Sequence, residues 1–209
     1  MIIIGISGGS ASGKSTLSKK IINFFSKKKI VVEHLQLDNY YKDLKFLSKS
    51  ERNSKNFDHP DSIDFKLFYQ HLTKLSLGNY IDTPTYSYKT HLRKNKTNRI
   101  EKVDLLIIDG LFILLKEKIR DFFDLTIFLD VNSDSRLLRR IKRDVKERSG
   151  NKNYIRDRFK NIVEPMHQKY VEPSKKFADM IVKDISNCKV IFKEIELKIN
   201  KIDKKNKKI

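Results

Sequence analysis

A glycine-rich segment near the amino terminus carries the residue types that bind nucleotide phosphates. The segment, Gly8-Gly-Ser-Ala-Ser-Gly-Lys-Ser15, fits the pattern Gly-x4-Gly-Lys-Ser and lies between an apolar run and a helical pattern. In such a loop the backbone N–H groups point at a phosphate, the lysine reaches the β- and γ-phosphates, and the serine hydroxyl binds Mg²⁺. The pattern predicts a nucleotide site formed by Gly8, Gly9, Ser10, Ala11, Ser12, Gly13, Lys14, Ser15 and Thr16.

Two carboxylates are predicted to lie beside this loop. Asp109 ends the apolar run that begins at Leu105, and Asp38 follows a second apolar run. Because the carboxyl ends of parallel strands meet at one edge of a sheet, both acids should face the phosphates. Asp109 could then hold Mg²⁺ together with Ser15. Asp38 could accept the proton of an attacking hydroxyl, while Lys14 stabilises the charge of the transferred phosphoryl group.

A less specific interpretation of the two acids also exists. An isolated aspartate at the end of a strand more often caps a helix or forms a turn than takes part in catalysis. Only the nearby phosphate loop favours the catalytic interpretation of Asp38 and Asp109.

Short apolar runs alternate with longer helical patterns along the chain. This alternation is typical of βαβ units, in which helices cover both faces of a parallel sheet. The predicted strands are Ile2–Ser7, Ile30–Leu35, Val103–Ile108, Leu125–Asp130 and Asp179–Lys183. The predicted helices are Ser15–Phe25, Phe65–Leu77, Leu111–Phe122, Ser133–Arg148, Ile155–Tyr170 and Val190–Ile202. We expect an α/β fold with about five parallel strands and a β-hairpin inserted at about residues 80–100.

Composition restricts the classes of protein to consider. The chain has 209 residues, of which 39% are apolar, which is enough for one packed domain. A formal charge of +19 suggests an anionic partner, such as nucleic acid, a membrane surface or a phosphorylated metabolite, unless it reflects a general bias in residue usage. The single Cys188 excludes an internal disulfide. Without a basic leader or an apolar run of roughly 20 residues, we expect a cytoplasmic protein that does not enter membranes.

Seven sequence blocks, in this order, resemble the uridine/cytidine kinases. Those enzymes transfer the γ-phosphoryl group of a nucleoside triphosphate to the 5′-hydroxyl of a pyrimidine ribonucleoside. The blocks are Gly5-Ile-Ser-Gly-Gly-Ser-Ala-Ser-Gly-Lys-Ser15, Leu37-Asp-Asn-Tyr-Tyr-Lys-Asp-Leu44, Asn56-Phe-Asp-His-Pro-Asp-Ser-Ile-Asp64, Pro84-Thr-Tyr-Ser-Tyr-Lys-Thr-His-Leu-Arg93, Asp109-Gly110, Arg136–Arg148 and Val171-Glu-Pro-Ser-Lys-Lys-Phe-Ala-Asp179. The Phe-Asp-His-Pro-Asp and Tyr-x-Tyr-x-x-His blocks are far more specific to this family than the phosphate loop.

The resemblance implies a P-loop kinase fold over one domain, residues 1–209, with a helical lid at about 136–160 and a basic tail at about 203–209. It implies that Asp38 is the general base, that Tyr41, Phe57 and Asp58 bind the nucleoside, and that Tyr86, Tyr88 and His91 form the base pocket. The lid arginines would be Arg140 and Arg143 as catalytic residues, with Arg140 and Arg148 also touching the substrate. The implied cofactor is Mg²⁺, the donor is ATP or GTP, the substrates are uridine and cytidine, and family members are often homotetramers.

The lid arginines also have an interpretation without a ligand. Arg136, Arg140 and Arg143 share one helical face, but Asp144 and Glu147 stand four residues after the last two. Such pairs commonly stabilise a solvated helix, and spacing alone favours this interpretation.

The chain departs from the resembled pattern at three places. Ser149-Gly150 stands where the family usually has Gly-Arg, Arg158 stands where relatives commonly carry a glutamine that bonds the base, and Asp109 replaces the more common glutamate. The first two departures concern lid contacts and base preference. The third shortens the acid by one methylene, which a water-mediated contact to Mg²⁺ could tolerate.

Two other functions remain open from the sequence. One is another small-metabolite P-loop kinase, similar to phosphoribulokinase or pantothenate kinase, although those do not share the Phe57-to-His59 and Tyr86-to-His91 blocks in this form. The other is a basic P-loop protein that binds nucleic acid, which would show binding that falls steeply with salt. No specific nucleic-acid partner is expected, because no nucleic-acid-binding motif is visible in the sequence.

Overall fold

A five-stranded parallel sheet forms the centre of the computed structural model, which describes residues 1–101, 103–148 and 150–206 and their side chains, except those of Arg148 and residues 202–206. The sheet strands are β1 (Ile2–Gly8), β2 (Val32–Gln36), β5 (Leu105–Asp109), β6 (Leu125–Leu129) and β7 (Met180–Val182). Their spatial order is β2-β5-β1-β6-β7. Two further strands, β3 (Ile81–Ser87) and β4 (Leu92–Ile100), pair antiparallel as the expected hairpin. The predicted α/β class and strand number are therefore confirmed.

Helices connect the strands. They are α1 (Lys14–Ser26), α2 (Lys49–Ser54), α3 (Phe65–Ser76), α4 (Glu117–Arg120), α5 (Ser133–Arg148), α6 (Lys152–Arg158), α7 (Glu164–Met166) and α8 (Lys189–Asn206). Short 3-10 turns cover Leu37–Tyr40, Pro60–Ser62 and Glu172–Phe177, and π-helical turns cover Phe159–Val163 and His167–Val171. Across the described part of the chain, no helix is both long enough and apolar enough to cross a membrane. The end of the expected basic tail, 207–209, lies outside the described residues.

The core lies on both faces of the sheet because alternate residues of each central strand point in opposite directions. On one face, Ile4 and Ile6 of β1 pack with Leu17 and Ile21 of α1 and with Ile195 of α8. On the other face, Ile3, Leu106 and Ile108 pack with α3 and with the base of the hairpin. All seven residues of β1 are buried, as expected for the central strand of a sheet covered on both sides.

An arginine of the hairpin bonds two segments that follow β2 in the chain. Arg93 of β4 donates to the carbonyl oxygen of Tyr41 at 2.9 Å and to Asp64 Oδ2 at 3.1 Å. Ile81 and Ile100, at the open end of the hairpin, are buried in the core. The hairpin is therefore held at a defined place beside the turn that carries Asp38.

The predicted helix at Leu111–Phe122 is wrong for most of its length. Only Glu117–Arg120 is helical, and residues 111–115 form bends and turns. Phe112, Ile113 and Leu114 are all buried, so this run has no polar face for an amphipathic helix. The Gly110 N–H bonds the Ile6 carbonyl, and the Leu111 carbonyl accepts from Ser7 Oγ, so β1 binds the backbone at the start of the run.

Arg136 of α5 is buried beneath the phosphate loop, unlike a lid arginine. Its side chain is 2% exposed, its Nε donates to the Val131 carbonyl at 3.0 Å, and its Nη2 pairs with Glu164 Oε2 at 2.6 Å. A buried charge requires such partners, because desolvation is otherwise uncompensated. Arg136 therefore joins α5 to the segment that begins at Glu164.

Replacing Arg136 by methionine should destabilise the fold. Arg136→Met keeps a long apolar side chain but leaves Glu164 without its partner, and we expect the free energy of unfolding to fall by about 3 kcal/mol in urea titrations. Lys142→Met, on the exposed face of the same helix, is the matched control and should change little. Adding Glu164→Gln should restore part of the loss, whereas a fully additive double variant would contradict the pairing.

Candidate active site

The phosphate loop joins β1 to α1, and its backbone curvature depends on residues with positive φ. Gly8 has φ 140°, Ala11 has φ 62° and Gly13 has φ 105°. A Cβ at Gly8 would lie 2.7 Å from the Leu129 carbonyl oxygen, and a Cβ at Gly9 would lie 2.6 Å from Arg136 Nη1. Glycine is therefore required at Gly8 by both conformation and space, and at Gly9 by space.

Lys14 is held inside this loop. Its Nζ donates to the carbonyl oxygens of Gly8 and Gly9, both at 2.9 Å. Burial lowers the pKa of Lys14 from 10.5 to about 8, although the negative charges of Asp109 and Asp38 oppose the shift. The structure thus keeps a desolvated ammonium group where an anionic ligand would interact with it strongly.

Asp109, at the end of β5, is the most enclosed acid of the site. It is 4% exposed, and its Oδ2 accepts from Ser18 Oγ and from His34 Nε2, each at 3.1 Å. Burial alone would raise the pKa of Asp109. Its pKa is nevertheless lowered below the usual value by the hydrogen bond and charge of His34, by the charge of Lys14 and by hydrogen bonding with Ser15. Asp109 is therefore ionised at neutral pH.

Sequence reasoning missed His34 and Ser18. Ser18 could have been found, because it stands four residues after Lys14 and so shares a helix face with it. His34 could not, because its approach to Asp109 depends on β2 and β5 being neighbours in the sheet.

The chemistry of Ser15 and Asp109 suits Mg²⁺. A hydroxyl and a carboxylate are hard oxygen donors, and Mg²⁺ bound with a nucleotide normally needs only one or two protein ligands besides phosphates and waters. Within residues 1–101, 103–148 and 150–206, no cluster of three or more His, Cys, Asp or Glu side chains could hold a metal ion by itself. The donor set fits a cation that arrives with a nucleotide.

Asp38 lies in the 3-10 turn Leu37–Tyr40 that follows β2. Leu37 and Tyr40 are fully buried and anchor the turn, which leaves Asp38 half-buried at the carboxyl edge of the sheet. The hydroxyl of Tyr88, on the hairpin, donates to Asp38 Oδ2 at 2.9 Å. Asp38 therefore lies between the phosphate loop and the hairpin, and the Tyr88 hydroxyl bonds one oxygen of its carboxylate.

Aromatic side chains from three segments form a cluster beside Asp38. The rings of Phe57 and His91 stack with centroids 4.4 Å apart, and Tyr41 lies 5.3 Å from Phe57 and 4.9 Å from Tyr86. Tyr86 Oη lies 3.4 Å from His91 Nδ1. Burial, with the charges of Asp38 and Asp58, raises the pKa of Tyr41, so Tyr41 stays neutral. The cluster offers flat apolar surfaces with polar edges.

Arg140 connects this cluster to the phosphate loop. Its Nη1 donates to Ser10 Oγ at 2.7 Å and lies 3.7 Å from Asp58 Oδ1, and Asp58 itself is buried. Arg140 also contacts Asp144 at 3.4 Å, which is the i,i+4 pair considered from the sequence. The Arg140 side chain thus links the phosphate loop to the residue that follows Phe57 of the aromatic cluster.

The other arginines predicted for the lid have different surroundings. Arg143 pairs with Asp144 at 2.8 Å rather than with Glu147, which corrects the i,i+4 pairing considered from the sequence. Burial alone would lower the pKa of Arg143. The hydrogen bond to Asp144 and the charge of Asp38 outweigh this effect and raise the pKa. The side chain of Arg148 lies outside the described residues. Arg158 bonds the Lys55 carbonyl at 2.8 Å.

Arg139 makes a loop contact that sequence reasoning missed. Its Nη1 donates to the carbonyl oxygen of Ser12 at 3.1 Å. Arg139 and Arg140, adjacent on α5, thus both hold the phosphate loop.

The chain belongs to the Phosphoribulokinase / Uridine kinase family, whose sequence profile matches residues 3–191. It is 41% identical over 189 residues to a protein named uridine kinase from Clostridium tetani. The alignment covers 90% of each chain. It is 38% identical over 208 residues to a uridine kinase from Streptococcus thermophilus, covering 99% of this chain and 97% of the other. Phosphoribulokinase from Rhodobacter spheroides shares the fold, with a TM-score of 0.62 at 15% identity over 89% of this chain and 72% of that one.

The buried lysine should make stability depend on pH in a defined direction. Above pH 8 the folded protein loses the Lys14 proton, whereas the unfolded chain keeps it until about pH 10.5. The unfolded state then binds more protons, so this group adds stability as pH rises. Relative to Lys14→Met, the wild type should gain about 2 kcal/mol in free energy of unfolding between pH 7 and 9.5, measured in urea. A difference that stays constant over this range would show that Lys14 keeps its proton.

Proposed function

We propose that this chain transfers the γ-phosphoryl group of ATP or GTP to the 5′-hydroxyl of uridine and cytidine, with Mg²⁺ as cofactor. Relatives at 38% to 41% identity that are named uridine kinase support the substrate class. The phosphate loop beside an aromatic cluster supports the same assignment from the geometry.

The observation that carries the proposal is the position of Arg140. Its guanidinium contacts Ser10 in the phosphate loop and lies close to Asp58 at the edge of the aromatic cluster. A phosphate donor bound at the loop and a flat acceptor bound at the aromatic cluster would therefore meet beside the Arg140 guanidinium. A kinase of open-chain substrates would have less use for the stacked rings of Phe57 and His91.

The chain's own groups account for the transfer. The 5′-oxygen forms a bond to the γ-phosphorus as the bond to the β,γ-bridging oxygen breaks, and Asp38 accepts the hydroxyl proton. Lys14, Arg140 and Arg143 would stabilise negative charge on the transferred group and on the departing diphosphate. When bound, Mg²⁺ neutralises phosphate charge, and Ser15 and Asp109 would hold it.

The acceptor pocket suits a pyrimidine ribonucleoside. Tyr41, Phe57, Tyr86 and His91 supply ring faces and edges for a planar base, and a histidine nitrogen can meet either an amine or a carbonyl. Asp58 can accept hydrogen bonds from ribose hydroxyls. A substrate without the 2′-hydroxyl would leave a buried acceptor unpaired, so deoxycytidine should be a poor substrate.

Tyr88 has a defined place in this scheme. Its hydroxyl donates to the Asp38 oxygen that a substrate hydroxyl could also approach. A 5′-hydroxyl that approaches this same oxygen would share or replace the Tyr88 contact, whereas one that approaches Oδ1 would leave it in place.

The experiment that tests the proposal measures release of nucleoside diphosphate with Mg·ATP and a panel of acceptors. The panel is uridine, cytidine, deoxycytidine, adenosine, ribulose 5-phosphate and pantothenate. We expect turnover on uridine and cytidine, and a loss of about 10² or more in kcat for Asp38→Asn, which keeps the shape of the side chain but cannot accept the proton. Turnover on ribulose 5-phosphate or pantothenate alone would overturn the assignment.

A change at His91 should affect binding of the nucleoside more than the chemical step. His91 has a φ of 55°, which asparagine tolerates well, so His91→Asn removes the ring while preserving the turn. We expect KM for uridine and cytidine to rise about tenfold with a smaller change in kcat, from the loss of ring contacts.

Lys89→Ala, an exposed change on the same turn, is the control for the hairpin and should leave both constants near those of the wild type. Unchanged KM values in His91→Asn would remove His91 from the base pocket.

A further inference from the structure

His34 is a polar residue of β2 that the proposed chemistry does not use. Its ring reaches across to the neighbouring strand, where Nε2 lies 3.1 Å from Asp109 Oδ2. Its side chain is 21% exposed and that of Asp109 is 6% exposed, so the contact is mostly shielded from water. The Asp109 carboxylate is ionised and can only accept, which makes His34 Nε2 the donor.

The contact restricts how the Asp109 carboxylate can turn. Ser18 Oγ, on α1, donates to the same oxygen, Oδ2, at 3.1 Å. Two donors from different elements therefore fix Oδ2. The second oxygen, Oδ1, takes part in neither of these contacts.

His34 lies within reach of Asp109 because β2 and β5 are neighbours in the sheet. In the register of β2 and β5, His34 is opposite Ile107 and Gln36 is opposite Asp109. The ring of His34 must therefore extend along the strand to reach Asp109. A histidine has both the length for this contact and a rigid ring with one N–H at its tip.

We propose that His34 is a positioning residue that, with Ser18, fixes Asp109 so that Oδ1 is directed to the cation bound with the nucleotide. The proposal rests on the proposed function in one respect, because it requires Asp109 to bind the Mg²⁺ that accompanies the nucleotide. Donors that bond a metal-binding carboxylate commonly affect metal affinity by 10- to 100-fold, because they set the orientation of the ligand before the metal arrives.

The proposal separates metal binding from nucleoside binding. The hydrogen bond of the His34 side chain is to Asp109, away from the aromatic cluster, so its loss should leave KM for uridine nearly unchanged. The concentration of Mg²⁺ that gives half-maximal activity should rise instead, because Asp109 would sample orientations that do not meet the cation.

Two variants distinguish the hydrogen bond from packing. His34→Phe keeps a flat ring of similar size without the N–H donor, and His34→Gln loses the ring but places an amide donor at a similar distance. Glu33→Gln is the matched control, because Glu33 precedes His34 on β2 and points to the opposite face of the sheet.

The first measurement needs no turnover. Mn²⁺ replaces Mg²⁺, and its binding to the protein with a non-hydrolysable ATP analogue is followed by electron paramagnetic resonance. We expect His34→Phe to weaken Mn²⁺ binding about tenfold or more, and His34→Gln and Glu33→Gln to remain within about threefold of the wild type. Equal losses in the Phe and Gln variants, or no loss in either, would overturn the proposal.

The second measurement varies Mg²⁺ in the uridine assay and follows urea unfolding of each variant. Support requires a higher Mg²⁺ requirement in His34→Phe, a KM for uridine within about twofold of the wild type, and rescue by His34→Gln. A parallel rise in the Mg²⁺ requirement and in KM would instead indicate general disruption and overturn the positioning role. If the wild type phosphorylates no nucleoside, the proposed function fails, and the Mn²⁺ experiment still decides the role of His34.

Discussion

The Asp109 carboxylate is the charge on which the arrangement of the site depends. It is buried between β1 and β2, and it is surrounded by His34 from β2, Ser15 and Ser18 from α1, and the Lys14 ammonium group. A lone buried carboxylate would be costly, so each of these groups offsets part of its desolvation. Conversely, Asp109 helps to keep a proton on the buried Lys14. The loop, the first helix and two strands are therefore linked through one buried carboxylate.

Much of the fold could be predicted because its signals are local. The apolar runs of β1, β5 and β6 and the glycines of the phosphate loop are visible in short windows of sequence, and the observed strands begin within about two residues of the predicted ones. The helix predicted at Leu111–Phe122 was wrong because apolar content alone does not distinguish an amphipathic helix from an irregular segment that is buried on all sides. There the backbone bonds β1 instead of itself.

The parts that could not be predicted depend on which distant segments become neighbours. The bond between Tyr88 and Asp38 joins residues 50 apart, that between His34 and Asp109 joins residues 75 apart, and that between Arg140 and Ser10 joins residues 130 apart. Helical spacing placed Arg136 beside Arg140, yet the crossing of α5 over the loop buries Arg136 behind Gly9 and leaves Arg140 at the site. Only strand order and helix packing decide such contacts.

The position of β1 at the centre of the sheet has a consequence for how the chain folds during synthesis. Its neighbours are β5 and β6, which pair Ile2 with Leu105 and Ile4 with Leu125. At about 5–20 residues per second, a ribosome takes roughly 5–20 s to add the ~100 residues that separate β1 from β5. Until then the isoleucines of β1 can be covered only by nearby segments such as α1, and β1 has neither of the two strands that flank it in the sheet. The phosphate loop is therefore synthesised well before the strand that carries Asp109, and the site can assemble only when both are present.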